Sequence, residues 1–136
     1  MRRIKVFLSG AIENTPDLGK GWRVQATPIL ERAGFTVLDP SLELEGPNRS
    51  INEIVHRNIF LQKQADLLLV EYSYPNRAYI GTDFELSKAY EWNQPTIVWC
   101  HPSYMNRTYM RYLSSMMLPS LEQALDYLVE HYPAEI

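Results

Sequence analysis

The feature that most constrains the fold is an uninterrupted apolar run, Leu67-Leu68-Leu69-Val70, near the middle of the chain. A strand with apolar side chains on both faces is typical of the centre of a parallel sheet that helices cover on both sides. Three further apolar runs rich in β-branched or aromatic residues lie at residues 4–8, 35–38 and 96–99. Helical stretches separate these runs, and the alternation predicts an α/β protein with a mostly parallel sheet.

Capping signals indicate where the helices begin and end. The first helix is predicted to start at Thr15-Pro16 and to stop at Gly34, since threonine caps, proline at the first helical position and glycine after the last are typical. Capping boxes that open with Ser50 and Ser120 begin the second and the last helix. The remaining expectations are helices over 82–92 and 121–130 and a last strand over 109–113.

Length and composition fit one soluble domain. The 136 residues, 46% hydrophobic and 21% charged, predict a single domain over 1–136, with a five-stranded flavodoxin-like or Rossmann-like three-layer fold. The net charge of −3 argues against a nucleic acid as partner, because binding its phosphates needs clustered cations. A single cysteine, Cys100, excludes an internal disulfide, and no apolar run is long enough to span a membrane. We therefore expect a cytoplasmic protein that does not bind membranes.

The fold class predicts where a ligand binds. In open parallel sheets ligands lie beyond the carboxyl ends of the strands. The loops expected at that edge are residues 9–14, 39–50, 72–80 and 100–108. Functional side chains should lie in these loops or in the helical turns that follow them.

Glu85 is the candidate acidic residue of this edge. It lies in Gly81-Thr82-Asp83-Phe84-Glu85-Leu86, which is predicted to be the first turn of the helix after loop 72–80. The helix dipole favours negative charge there and is expected to keep the carboxylate ionised. An ionised carboxylate in a small cleft can attack an anomeric carbon. The alternative is that Glu85, like Asp83, only stabilises the start of the helix.

Three segments carry a resemblance to a known family: Val6-Phe7-Leu8-Ser9-Gly10-Ala11-Ile12, the Ala65-Asp66 pair with the apolar run after it, and Gly81-Thr82-Asp83-Phe84-Glu85-Leu86. Together they resemble the nucleoside 2-deoxyribosyltransferase family, which includes 2′-deoxynucleoside 5′-phosphate N-hydrolases. The resemblance extends to about Trp99. It implies cleavage of an N-glycosidic bond by a glutamate that attacks C1′, after which the sugar passes to another base or to water. It implies no cofactor.

The resemblance also implies roles for individual residues. Glu85 takes the position of the nucleophile, and Asn58 and Tyr79 would orient the sugar. The family has an aspartate at each of those two positions, and a first-strand tyrosine that holds the nucleophile where this chain has Phe7. Asn58 can hydrogen-bond but carries no charge, and Phe7 offers no hydrogen bond. Phe7 is still expected among the residues that contact the substrate.

Five further residues are predicted to bind the substrate. Ser9, Gly10, Gly81 and Thr82 would shape the pocket with a hydroxyl or backbone amides. Arg77 would hold a 5′-phosphate through bidentate contacts. The alternative for Arg77 is a solvated loop charge with no partner.

The resemblance implies a homodimer or a higher homo-oligomer, because members of the family complete each pocket with a residue from a neighbouring subunit. The candidate loop for this contribution is 104–108, with Asn106 as the contributing residue. The Met116-Met117 pair would suit an apolar interface.

Two functions remain open from the sequence. The first is an N-glycosidic enzyme that acts on a small nucleoside or nucleotide. The second is a non-catalytic nucleotide-binding or sensing domain, which the departures from the family pattern favour. No metal site is expected, since His56, His101 and His131 lack the spacing of metal ligands.

Overall fold

A sheet of five parallel strands forms the centre of the part of the chain that the computed structural model describes, residues 1–12, 15–44 and 50–136. The strands lie in the order β2-β1-β3-β4-β5, which is the order of flavodoxin-like folds. Their bounds are β1 Lys5–Ser9, β2 Thr36–Leu38, β3 Leu67–Tyr72, β4 Thr96–Cys100 and β5 Met116–Leu118. The predicted α/β fold is confirmed, and these five strands are all parallel rather than mostly so.

The apolar run that predicted a central strand does form the central strand, β3. Every residue of β3 is buried. Leu67 and Leu69 face one hydrophobic core and Leu68 and Val70 face the other, because successive side chains of a strand alternate between its faces. This run therefore links the two cores through the sheet.

Helices cover both faces of the sheet and make three layers. Helices α1 and α5 pack on the face of Leu67, and α2, α3 and α4 pack on the face of Leu68. Their bounds are α1 Lys20–Arg32, α2 Ile51–Lys63, α3 Ile80–Glu91, α4 Thr108–Leu113 and α5 Leu121–His131. None of the helices described is long and apolar enough to cross a membrane.

The prediction of a last strand over 109–113 was wrong. That segment belongs to α4, and the fifth strand is Met116–Leu118. Met110 and Leu113 are three residues apart, so a helix turns both towards the core between α3 and the sheet. The two methionines at 116 and 117 belong to β5, which pairs with β4 at one edge of the sheet.

Two predicted boundaries at the ligand-binding edge also need correction. The first helix begins at Lys20, not at Thr15, because Leu18 and Gly19 have positive φ angles of 56° and 71° and turn the chain first. The Thr15 hydroxyl donates to the carbonyl of Ile12 instead of capping a helix. The third helix begins at Ile80, two residues earlier than predicted. Residues 13–14 and 45–49 of the predicted pocket loops lie outside the described residues.

Three local signals were read correctly. Gly34 follows the end of α1 with a φ of 101°, a conformation that side chains rarely adopt. The Ser50 hydroxyl accepts a hydrogen bond from the amide of Glu53, and Ser120 accepts one from the amide of Gln123. These caps satisfy amides that the first turn of a helix leaves unpaired.

Two glycine substitutions test the backbone argument. Gly34→Ala should lower the free energy of unfolding by about 1–2 kcal/mol, because alanine is strained at positive φ. Gly81→Ala should leave it unchanged or raise it by about 0.5 kcal/mol, since a Cβ at this helical position meets nothing within 4 Å. Urea unfolding of both variants measures the difference. Equal effects of the two substitutions would contradict the assigned conformations.

Candidate active site

The carboxyl ends of β1 and β3 and the start of α3 bring three polar side chains to one edge of the sheet. Ser9 ends β1, Glu71 is the fifth residue of β3, and Glu85 lies in the second turn of α3. The Ser9 hydroxyl donates to Glu85 Oε1 at 2.6 Å. The structure thus joins two of the predicted site residues directly.

Glu85 lies in the second turn of α3 rather than the first, because α3 begins at Ile80, two residues earlier than predicted. Its side chain lies deep in the molecule yet keeps partial access to solvent. Burial raises the pKa of Glu85 to about 7, against the opposing effects of the Ser9 hydrogen bond and the positive charge of Arg23. The expectation that the helix dipole keeps this carboxyl fully ionised was therefore wrong, because desolvation is the larger effect. Near neutral pH the group is close to half ionised.

Arg23 is a fully buried cation behind this edge. Its guanidinium donates to the carbonyls of Leu8, Gly10 and Gly19, and its Nε lies 3.7 Å from Asp39 Oδ1. No motif in the sequence marked Arg23 as a functional residue. The available signal was its spacing, because Arg23 precedes the buried Ala26 and Leu30 by three and seven residues and so lies on the buried stripe of α1.

Glu71 is the second residue that sequence reasoning missed. It is buried at the end of β3 and accepts hydrogen bonds from Ala11 N (3.0 Å), Ser73 N (2.7 Å), Ser73 Oγ (2.8 Å) and Tyr79 OH (2.6 Å). These bonds tie the loop after β1, the loop after β3 and the residue before α3 to one carboxylate. The signal was an acidic residue that directly extends a fully apolar strand, a position where a charge needs partners.

Gly10 lies against this carboxylate. A Cβ at Gly10 would come 2.8 Å from Glu71 Cβ and 3.2 Å from the Trp22 ring. Such contacts are shorter than van der Waals distance, so glycine is the residue that fits between the two side chains. Gly10 thereby allows the β1 exit to approach the end of β3.

Tyr79 supports this arrangement from inside the protein. Its hydroxyl donates to Glu71 and accepts a hydrogen bond from the amide of Tyr74 at 2.9 Å. Its ring stacks on Tyr72 with centroids 3.9 Å apart. Burial raises the pKa of the Tyr79 hydroxyl far above its ordinary value, so it stays a neutral donor.

Phe7 and Asn58 occupy different environments. Phe7 is fully buried in the core on the α3 side of the sheet. Asn58 lies on α2, one turn before Gln62, whose side-chain amide donates to the carbonyl of Glu85 at 2.9 Å. Residues four apart share a helix face, so Asn58 lies on the face of α2 that meets α3. The buried Asn58 Oδ1 has no hydrogen-bond partner among the described residues.

The other predicted binding residues are spread more widely. Thr82 is buried within the first turn of α3, and Gly81 beside it is exposed. The Arg77 guanidinium lies 4.5 Å from the centre of the Tyr74 ring, and Asn106 is exposed before α4. The roles of these residues and of Phe7, Asn58 and Tyr79 stay predictions. No three His, Cys, Asp or Glu residues of the described chain are arranged to hold a metal ion.

A cavity of about 520 Å³ lies between α3 and α4, away from Glu85. On α3 it is lined by Asp83, Leu86 and Ser87. Asp83 and Ser87 are each two residues from Glu85, about 200° around the helix, so the cavity belongs to the opposite face of α3. The Tyr72 hydroxyl donates to Asp83 at 2.6 Å, and burial raises the pKa of that carboxyl.

The fold, with its central β3, is similar to that of solved structures whose names are those of enzymes acting on nucleosides or nucleotides. A 2-deoxyribosyltransferase from Bacillus psychrosaccharolyticus has a TM-score of 0.74 at 19% identity, over 96% of this chain and 97% of that one. A 2-deoxyribosyltransferase from Leishmania mexicana has a TM-score of 0.76 at 18% identity, over 95% and 99%.

A third similar structure is the CMP N-glycosidase of Clostridium botulinum, with a TM-score of 0.64 at 16% identity over 93% of this chain and 99% of that one. No protein-family model matches the chain, and no curated protein matches it. At these identities the likeness establishes the fold, and the residues of the site must carry the argument for function.

Replacing the acidic group of Glu85 should change how stability depends on pH. The pKa of Glu85 is about 7 in the folded protein against an ordinary value of 4.5. The folded state therefore holds this proton more tightly, and its contribution to stability falls as pH rises between those values. Glu85→Gln removes that loss and should be more stable than wild type by about 3 kcal/mol at pH 8, with a smaller gain at pH 4.5.

Urea unfolding at both pH values measures this difference, with Glu91→Gln on the exposed side of the same helix as the control. The control should show no comparable dependence on pH. A Glu85→Gln difference that is equal at both pH values, or larger at pH 4.5, would contradict the raised pKa.

Tyr79→Phe tests the hydrogen bonds around Glu71. The substitution removes a donor to a buried carboxylate and an acceptor for the Tyr74 amide, so the free energy of unfolding should fall by about 1–3 kcal/mol. Tyr112→Phe is the control, because its hydroxyl is exposed and a change within about 0.5 kcal/mol is expected. If chemical denaturation gives the same result for both variants, the Tyr79 hydroxyl does not support Glu71.

Proposed function

We propose that this chain is an enzyme that breaks or transfers the N-glycosidic bond of a nucleoside or nucleotide, with Glu85 as nucleophile. The observation that carries the proposal is the Glu85 carboxyl itself. It is held by the Ser9 hydroxyl at the ligand-binding edge of the sheet, and its pKa of about 7 leaves a reactive carboxylate available at neutral pH.

The chemistry follows from that geometry. Because Ser9 holds Oε1, the carboxylate can present Oε2 to C1′ of the sugar. Attack forms a bond between Glu85 and C1′ while the C1′–N bond breaks and the base leaves. Water or a second base then attacks C1′ and releases the carboxylate, so hydrolysis and transfer differ only in the second acceptor.

The similar structures support this reading. Two of them are named 2-deoxyribosyltransferases and one a CMP N-glycosidase, so their names join this fold to reactions of nucleosides and nucleotides. Their low identity to this chain is consistent with its departures from the family pattern at Phe7, Asn58 and Tyr79.

In this proposal Ser9 supplies the hydrogen bond that Phe7 cannot donate. The family's first-strand tyrosine donates a hydrogen bond to the nucleophile, and here Phe7 has no donor. Residues 7 and 9 point to the same face of β1 because side chains alternate along a strand. The Ser9 hydroxyl therefore reaches Glu85 from the same strand and the same side.

We also propose that the protein forms a homo-oligomer in which Asn106 of a neighbouring copy completes the site.

Product analysis tests the enzymatic proposal. The protein would be incubated with deoxynucleosides, ribonucleosides and their 5′-monophosphates, with and without a free acceptor base, and the products separated by chromatography. Wild type and Glu91→Gln should release free base or form the exchanged nucleoside. Glu85→Gln should reduce the rate at least 100-fold, because the amide is a poor nucleophile. Equal rates for Glu85→Gln and wild type would exclude Glu85 as nucleophile.

A non-catalytic nucleotide-binding domain is the second candidate, favoured by the buried Tyr79 hydroxyl, which is fully engaged with Glu71 and Tyr74. Calorimetry with the same compounds separates the two functions. A compound that binds wild type and is recovered unchanged after long incubation supports the binding domain and contradicts the enzyme.

A further inference from the structure

We propose that Arg23 is a positioning residue for Glu85: it fixes the end of β1 that carries Ser9, and its buried positive charge favours the ionised carboxylate. This inference rests on the proposed function for its catalytic meaning. The physical effect on Glu85 can be tested without a substrate.

Arg23 donates hydrogen bonds to the carbonyls of the residues on either side of Ser9. Arg23 Nε and Nη2 donate to the carbonyl of Leu8 at 3.3 and 3.2 Å, and Nη2 also donates to the carbonyl of Gly10 at 3.3 Å. These carbonyls precede and follow Ser9, whose hydroxyl is 2.6 Å from Glu85 Oε1. The guanidinium thus fixes the backbone on both sides of the residue that holds the carboxylate.

A fourth hydrogen bond anchors the cation to the residue that precedes its own helix. Arg23 Nη1 donates to the carbonyl of Gly19 at 2.8 Å, and Gly19 adopts a positive φ before α1. A Cβ at Gly19 would lie 2.5 Å from Arg23 Nη1. The chain before α1 is therefore shaped to admit the guanidinium.

The charge of Arg23 faces several acids. Asp39 is its ion-pair partner at 3.7 Å, and Glu85, Glu71 and Asp17 are close enough to attract it as well. The desolvation cost of a fully buried cation is several kcal/mol, and a single ion pair at this distance offsets it poorly. The carboxylates at the site offset more of this desolvation cost by attracting Arg23. The attraction is mutual, so it also stabilises the ionised form of Glu85.

Few groups of the described residues act with or against Arg23 on the ionisation of the Glu85 carboxyl. Ser9 from β1 donates to it, Gln62 from α2 contacts its backbone carbonyl, and Arg23 from α1 is the cation that acts on its carboxylate among the described residues. Burial alone would push the carboxyl further towards its neutral form. Removing Arg23 should therefore leave less of the nucleophile ionised at neutral pH.

Carboxyl ¹³C NMR titration tests the charge directly on glutamate-labelled protein, with Glu85→Gln to assign the resonance. Arg23→Gln should raise the midpoint of Glu85 by about one unit, since a nearby opposite charge lowers a carboxyl pKa by roughly 1–3 units. Arg23→Lys keeps the charge and should stay within about 0.5 unit of wild type. Arg32→Gln, an exposed arginine at the end of the same helix, is the matched control and should leave the midpoint unchanged.

A midpoint that is the same in Arg23→Gln and wild type would overturn the proposal, as would equal shifts in Arg23→Gln and Arg23→Lys. If Arg23→Gln does not fold, Asp39→Asn gives a second measurement. It removes the negative charge closest to Arg23 and should lower the Glu85 midpoint, because less of the cation's field is neutralised. An unchanged or raised midpoint in Asp39→Asn would count against the proposal.

Kinetics connect the titration to the reaction. In Arg23→Gln the rising limb of kcat against pH should move to higher pH by the same amount as the NMR midpoint, with KM changed less than twofold. A uniform loss of kcat at every pH would indicate a purely structural role and overturn the proposal. If the Glu85 midpoint shifts in Arg23→Gln but wild type turns over no nucleoside, the effect of Arg23 on Glu85 is supported and the enzymatic function is excluded.

Discussion

The buried Glu71 carboxylate is the interaction on which the candidate site depends. It accepts hydrogen bonds from Ala11, Ser73 and Tyr79, and so joins the loop after β1 to the two ends of the connection between β3 and α3. Buried carboxylates are costly without partners, so the bonds specify one arrangement of the segments. Because α3 begins at Ile80, directly after Tyr79, the same contacts fix where that helix starts and hence where Glu85 lies.

The two carboxylates at this edge have opposite surroundings. Both oxygens of Glu71 are engaged by amides and hydroxyls, whereas Glu85 has the Ser9 hydroxyl as its described side-chain hydrogen bond and keeps partial access to solvent. A carboxylate surrounded by donors serves structure, since any substrate would have to displace those donors. One that is desolvated, with its pKa near 7, can exchange a proton or attack an electrophile near neutral pH. These surroundings suit Glu71 to a structural role and are consistent with the nucleophilic role proposed for Glu85.

Local patterns predicted the central strand and the two serine caps, and long-range contacts account for much of what was missed. The run at Leu67 predicted the central strand because burial on both faces leaves a continuous apolar signal. Ser50 and Ser120 cap helices through residues three positions away, so a short window suffices. Glu71 also binds Ala11, 60 residues away, and Arg23 also binds Leu8, 15 residues away, so no short window of the sequence contains all of their partners. The last strand was misassigned for a related reason, since Met110 turns inward only because α4 packs beside α3.

Strand β1 shows how a hydroxyl can reach Glu85 although position 7 has none. Phe7 and Ser9 lie on the face of β1 that points towards α3, and Phe7 is buried beneath the edge while Ser9 lies at it. A hydroxyl at position 9 is therefore placed to reach the carboxylate even when the residue at position 7 has none. On the other face, Leu8 packs in the α1 core and the carbonyls beside Ser9 bind Arg23. A donor can move along a strand by two residues and keep its direction, whereas a move of one residue would turn it to the opposite face of the sheet.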